Sequence, residues 1–330
     1  MDQAQWIGID VAKRHLDMAI GETGAVRRSP NTPAGHRRLL AALRDVAVAG
    51  IVLEATGAYY QGLMATLQAA GYGPTALNPQ WFKAFKRSTG RRAKTDALDA
   101  QGLARYGREK QPVPTRPVSP AEQALRDLVM RREDVVAARA AEKNRQQQAT
   151  AAAIGASIET HIAWLTAEIR QLEATIDAAI AADPAWAAER ERLESLPGVG
   201  RVTSAILIAF LPELAEMDRR QLAAVVGLAP YADDSGTHRG QRRIAGGRAL
   251  IRRVLYQAAM AASRHEPVFA AQKARMRAAH KPHKVIIVAI ARRMLGVLGA
   301  MARERIAWTQ TRLARGDDDA VTAPPAAITA

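Results

Sequence analysis

The chain reads as an α/β N-terminal domain followed by a long helical insertion and a mostly α-helical C-terminal domain. Three observations predict that order. The first hundred residues alternate between period-two and helical patterning, which is the signature of a sheet flanked by helices. Pro112, Pro114, Pro117 and Pro120 then form a boundary that no helix crosses intact, with a long Ala-, Arg-, Glu- and Gln-rich stretch behind it. From Asp183-Pro184 to about Trp308 the pattern is helical again and dense in arginine.

Taken in order, Trp6 to Val11 and Leu16 to Ile20 read as strands, and Glu22-Thr23-Gly24 turns into a third at Ala25 to Arg28. Thr32 caps a helix with Pro33 in its first turn; Leu39, Leu40, Leu43 and Val46 form its apolar face, and Gly50 is expected to end it. Ile51 to Leu53 reads as a buried strand, followed by a helix over Tyr59 to Ala70, a strand at Thr75 to Leu77 and a helix opened by Thr95 that runs through Arg108. Ser119 caps a charged helix from Pro120 to about Ala153, punctuated by Gly155. Beyond it Ile158, Ile162, Leu165, Ile169, Leu172 and Ile176 repeat at three- and four-residue spacing, a coiled-coil seam. The two arms form a helical hairpin or a dimerising arm, or else the helix is buried within its own domain. The expected domains are 1–115, 116–185 and 186–308, with 309–330 as a disordered tail.

Composition narrows the function. Lys and Arg number 47 against 32 Asp and Glu, a formal charge of +15 with a pI near 10.7, so the long-range field favours a polyanion. The absence of cysteine excludes disulfides, thiolate metal sites and thiol nucleophiles, and suits a reducing compartment. With no signal-peptide pattern and no apolar run read as a membrane span, a soluble cytoplasmic protein with no membrane partner is expected.

Four acids stand out against this basic background. Asp10 lies within the first strand and Glu54 directly follows the apolar Ile51 to Leu53, although acids are poor strand residues. If those strands are neighbours, both carboxylates can face one point. Asp96 and Asp99, three apart at a helix start, share a face and are favoured by the helix dipole. Hard divalent cations want several oxygen ligands, so the set suits metal-dependent chemistry on phosphates.

Basic segments supply candidate nucleic-acid contacts. Lys83, Lys86 and Arg87 interleave with Trp81, Phe82 and Phe85, and Arg91, Arg92 and Lys94 follow; the aromatics serve either as stacking platforms or as core. Leu196-Pro197-Gly198-Val199-Gly200 between apolar helices has the form of a helix-hairpin-helix, in which Gly198 and Gly200 would admit a phosphate, or of an ordinary helix connection. Arg239, Arg242, Arg243 and Arg248 surround a polar loop containing Ser235-Gly236. Lys273 to Lys284 is a further basic stretch, suited to a polyanion or simply solvated. By itself Ser235 reads as a turn residue.

The segments WIGIDVAK (Trp6 to Lys13), LEATG (Leu53 to Gly57) and KTDALDA (Lys94 to Ala100) resemble the DEDD domain of insertion-sequence transposases of the IS-one-ten type. LPGVG, GLAPY, DSGTHRG and RRIAGG resemble, in order, the C-terminal domain of the same family. The resemblance runs from Trp6 to about Met301 and implies an RNase-H-like (RuvC-like) N-terminal fold. It also implies that Asp10, Glu54, Asp96 and Asp99 bind Mg2+ and that Ser235 is a nucleophile forming a covalent DNA intermediate. The implied activity is bridge-RNA-guided DNA recombination, with DNA, a structured non-coding guide RNA and a homo-oligomer (dimer or tetramer) as partners. The alternatives are a metal-dependent junction resolvase or nuclease, in which Ser235 is only structural, and a non-enzymatic nucleic-acid-binding protein.

Overall fold

The computed structural model describes residues 4–55, 57–89, 95–232, 234–235, 238–240 and 242–310. The chain divides into two compact units, Met1–Val118 and Ser119–Ala330.

The first unit is built on a five-stranded sheet of order β3-β2-β1-β4-β5, from β1 (Gln5–Val11), β2 (His15–Ile20), β3 (Val26–Pro30), β4 (Val48–Glu54) and β5 (Pro74–Leu77). The β1–β2 and β2–β3 pairs are antiparallel, whereas β4 runs parallel to both β1 and β5. This mixed sheet is the arrangement of an RNase H-like fold. The pleat sends alternate residues to opposite faces. Ile7, Ile9 and Val11 pack with Ile51, Leu53 and Leu16 against α1 (Pro33–Leu43) and α2 (Gln61–Ala69), contributed by Leu39, Leu43, Leu63 and Leu67. Ile7 and Ile9 are fully buried, each worth about 1.5–3 kcal/mol over an exposed position. On the other face Val52 and Leu77 meet Phe82 and Phe85 of α3 (Pro79–Ser88) and Leu103 of α4 (Asp96–Lys110).

Local chemistry fixes the helix starts. The Thr32 side chain accepts from Gly35 N, Asn78 from Gln80 N and Thr95 from Leu98 N, with Pro33 and Pro79 in the first turns of their helices. Helix α4 ends on Gln111 in the left-handed region, just before Pro112. Its approach to the sheet requires Gly8, because a Cβ there would lie 2.0 Å from the Ala100 carbonyl oxygen. Gly50 departs from its expected place: it lies inside β4, not at the end of α1, and the Trp6 ring fills the space where its Cβ would stand.

The second unit is helical: α5 (Pro120–Gln146), α6 (Ala152–Ala182), α7 (Pro184–Glu194), α8 (Arg201–Phe210), α9 (Arg219–Val226), α10 (Ala249–His265), α11 (Pro267–Ala278) and α12 (His283–Glu304). Ser119 and Glu122 form a reciprocal capping box at the start of α5. Helices α5 and α6 turn back on each other within one chain. Arg132 bonds Glu173, while His161 lies beside Glu142 nearer the tip. The break falls at 147–151, and Gly155 sits inside α6 instead of interrupting the pair. Leu165, Ile169 and Leu172 of the heptad-like seam pack on Val135 and Val136, and Ile176 and Ile180 join Leu125 and Val129 in the core of the unit. The seam from Leu165 to Ile176 is therefore used inside the chain.

Between α9 and α10 lie four two-residue strands, β6 (Pro230–Tyr231), β7 (Asp234–Ser235), β8 (His238–Arg239) and β9 (Arg243–Ile244), paired as β6–β9 and β7–β8. Helix α12 corrects the expectation about apolar runs: by length and composition it is apolar enough to cross a membrane. In the fold it is the core helix of its unit, burying Ile286, Ile287, Ile290, Met294, Leu295 and Leu298. Of the predicted tail, 311–330 lie outside the described residues.

Candidate metal and nucleic-acid site

The sheet register brings the strand acids together. Asp10 and Glu54 each stand one residue beyond the parallel pair Ile9–Leu53, at the carboxyl ends of neighbouring strands. Asp10 shares the pleat parity of Gly8, and Glu54 that of Val52, so both belong to the face that α4 covers. The first turn of α4 carries Asp96 and Asp99. Burial and the neighbouring charges of Glu54, Asp99, Asp96 and Asp17 push the Asp10 carboxyl up to about 6. Glu54, Asp96 and Asp99 thus lie near enough to act on Asp10, while among the described residues the group whose ligand atoms come within 4.8 Å of one another is His15, Asp17 and Asp96.

A fifth acid was not anticipated. Asp17 pairs across the antiparallel ladder with Asp10 and is only 2 % exposed. Arg28 clamps it through two hydrogen bonds of 2.8 Å and reaches Asp96 at 3.2 Å, which His15 also meets at 3.1 Å. Hydrogen bonding from His15, then the charges of His15 and Arg28, hold Asp96 below the usual carboxylate range. An acid in the apolar run Leu16 to Ile20 was the available signal, the same one that marked Asp10. Asp99, buried on α4, receives Lys86 Nζ at 2.9 Å on both oxygens, and that ammonium lies 4.6 Å from the Phe82 ring centroid.

This donor set fits a hard divalent cation. Asp10, Glu54, Asp96 and Asp99 offer only carboxylate oxygens, and the protein already places cations, Lys86 and Arg28, against two of the acids it crowds together. The loops behind the acids are tied by Asn31. Its Nδ2 donates to Ala12 O after β1 at 3.0 Å and to Tyr59 O after β4 at 3.1 Å. His36 Nε2 meets Asn31 Oδ1 at 2.9 Å, and buried His36 is held below its ordinary pKa by desolvation.

The predicted nucleic-acid contacts divide. Lys83 and Arg87 are exposed on α3 beside Trp81, which is 65 % exposed, whereas Phe82 and Phe85 are core. Lys86, partly exposed on the same helix, pairs with Asp99. Arg91, Arg92 and Lys94 lie outside the described residues. In the second unit, Gly198 has φ +96° and a Cβ there would lie 2.4 Å from Ala258 O, so it serves helix packing. Gly200, at the start of α8, faces open space. Arg248 bonds both Glu213 oxygens at 2.8 Å and Phe210 O at 2.7 Å, so its guanidinium is engaged within the fold. Arg242 pairs with Asp234 at 2.8 Å, and Arg243 is exposed on β9. The backbone places Ser235 opposite His238, and Arg239 opposite Asp234, in the β7–β8 ladder.

A mixed sheet of this order, with acids at the ends of its central strands and on the helix packed over them, is an RNase H-like domain carrying a candidate acidic metal site. Residues 7–151 match the family model for the DEDD transposase of the IS110 type, and residues 190–274 match that described as transposase of the IS116/IS110/IS902 family. The chain is similar to the pilin gene-inverting proteins of Moraxella lacunata and Moraxella bovis. Each is 28 % identical over 309 residues, covering 91 % of this chain and 96 % of the relative. It is also 31 % identical over 197 residues to an insertion element IS900 protein of 42 kDa from Mycobacterium paratuberculosis, covering 56 % of this chain and 47 % of that one. The chain belongs to the IS110 family of transposases and is an enzyme acting on DNA.

Proposed function

We propose that this transposase excises and inserts a mobile element by guide-RNA-directed strand exchange, with Mg2+ in the Asp10, Glu54, Asp96 and Asp99 site and Ser235 as nucleophile. The observation that supports the reading is the crowding of Glu54, Asp96 and Asp99 around Asp10 on the face of the sheet that α4 covers, in a chain whose transposase-family match at 190–274 spans the Ser235 loop. The name of the pilin gene-inverting relatives supports rearrangement of DNA over simple degradation.

Ser235 Oγ attacks a backbone phosphorus, an O–P bond to the serine forms, and the phosphodiester P–O bond to the leaving sugar oxygen breaks. That oxygen departs as a hydroxyl, taking up a proton, and the serine gives one up. The phosphoserine ester conserves the bond energy needed to rejoin a different end. A bound Mg2+ supplies charge neutralisation at the phosphate. Arg242 and Arg243 stand on the same short strand-rich segment as the serine, where guanidiniums can hold the phosphate. The guide-RNA and oligomer assignments rest on the family resemblance, and the charge of +15 is compatible with an RNA partner.

The test is to purify the chain expressed with its flanking DNA, sequence RNA surviving a high-salt wash, and assay protein–DNA adduct. One discrete non-coding RNA and an adduct lost in Ser235→Ala with DNA binding retained are expected. Adduct persisting in Ser235→Ala would remove the serine. Water-derived ends with no adduct in the wild type would select the resolvase reading.

A further inference from the structure

Several half-buried arginines in the second unit meet carboxylates, whereas Arg252 meets the backbone carbonyls of Val226 and Gly246. Arg132 has Glu133 and Glu173, Arg190 has Asp177 and Glu194, and Arg248 has Glu213. Arg293, half-buried on α12, meets a side-chain amide instead. Its Nη1 donates to the neutral Oε1 of Gln272 at 3.1 Å, and Gln272 is itself buried on α11. Burial, and then the charge of nearby Arg275 on α11, push the Arg293 guanidinium below its ordinary range. Among the described residues neither arginine has a carboxylate partner. The local sequence offers none, because the stretch from Pro267 to Arg303 contains eight cations and not one Asp or Glu. Those cations include Lys281 and Lys284, exposed around the α11–α12 turn. Gln272 and Arg275 stand three apart on α11 and so share the face on which Gln272 meets Arg293, which sets two guanidiniums side by side with no carboxylate between them.

We propose that the α11–α12 hairpin is a nucleic-acid backbone site separate from the Ser235 loop, in which Arg275 and Arg293 close on one phosphodiester phosphate. Gln272 fixes the Arg293 fork, leaving its remaining N–H groups for the two phosphate oxygens. The flanking Lys281 and Lys284 extend the contact along the same strand without reading bases. The inference rests on the reading of the chain as a nucleic-acid-processing transposase and adds where the polyanion is gripped.

The experiment measures fluorescence polarisation of a labelled DNA duplex and a labelled RNA hairpin against salt, using the full chain, Arg275→Gln, Arg293→Gln and their double variant. Arg170→Gln, an exposed arginine on α6, serves as the control. Each single variant is expected to weaken binding of one or both probes about tenfold and to lower the salt slope by about one. The double variant should lose little more, because both arginines address one phosphate. Loss confined to DNA or to RNA identifies the source of the phosphate. Arg275→Gln should also raise the Tm of the nucleic-acid-free protein, since it removes the charge facing Arg293; Arg275 is exposed, so this variant carries the test even if Arg293→Gln folds poorly. Wild-type affinity and slope in the double variant, or a loss no larger than that of Arg170→Gln, would overturn the site while leaving the transposase reading standing. A wild-type chain that binds neither probe would overturn both.

Discussion

At the scale of single residues the site is a balance of crowded anions and borrowed cations, and Asp10 shows its cost. In the metal-free chain its carboxyl sits at about 6 against an ordinary 3.8, through burial first and then four neighbouring carboxylates. The folded chain therefore binds this proton more readily than the unfolded one, so the contribution of Asp10 to stability falls as pH rises from 3.8 to 6 and stays low above that. Asp10→Asn removes the charge and keeps the shape. Without divalent metal it should be more stable than wild type at pH 7, by about 1–2 kcal/mol once screening at the open side is discounted. The advantage should shrink as pH falls toward 4. Adding Mg2+ should stabilise wild type and leave Asp10→Asn nearly unmoved. Urea denaturation at several pH values, with and without metal, checks all three; a variant no more stable than wild type at pH 7 would remove the crowding argument.

At the scale of elements, function depends on how accurately β1 and β4 end together, and Asn31 is the piece that ties those ends. Its two N–H donors are spent on carbonyls behind Asp10 and behind Glu54, and His36 orients its oxygen. Asn31→Asp keeps the volume but sets a carboxylate against two carbonyl oxygens. It should raise the metal concentration for half-maximal stabilisation by about tenfold while leaving the far-UV circular dichroism unchanged, in line with the effect of supporting groups at metal sites. Isothermal titration of metal, with Asn31→His as a second donor-bearing variant, checks this; unchanged metal affinity in Asn31→Asp would reduce Asn31 to a loop residue. Much of this layer was legible in the sequence, because strand alternation at Trp6 to Val11 and the caps at Thr32, Thr95 and Ser119 are local signals. What failed was non-local. Gly50 belongs to β4 because Trp6 packs over it, Asp17 gains its place from its ladder partner Asp10 on β1, and Lys86 pairs with Asp99 of the next helix. Composition could mark Lys86 as basic, but not which polyanion or carboxylate it would meet.

At the scale of the whole molecule the chain carries two self-contained cores. The sheet and its helices close around Ile7, Ile51 and Leu63 on one face and Val52, Phe82 and Leu103 on the other, all before Val118. The helical unit closes around α12 and draws the base of the α5–α6 hairpin into that core through Leu125, Val129, Ile176 and Ile180. The hairpin is thus structurally part of the second unit, and Glu133, buried between Arg132 and Arg253, ties α5 to α10 within it. Cores that share no buried cluster should fold independently. Residues 1–118, produced alone, should unfold cooperatively and show the same Mg2+-dependent stabilisation as the full chain, since all five acids and their cations lie within that span. Residues 119–330 should fold, bind DNA with a salt-dependent affinity and, under the proposal that the acids of the first unit take part in the serine chemistry, form no adduct. Adduct formation by the second fragment alone would separate the serine chemistry from the acids. A first fragment that folds but ignores Mg2+ would instead mean that the metal requires groups from the second unit, and the five-acid site would have to be redrawn.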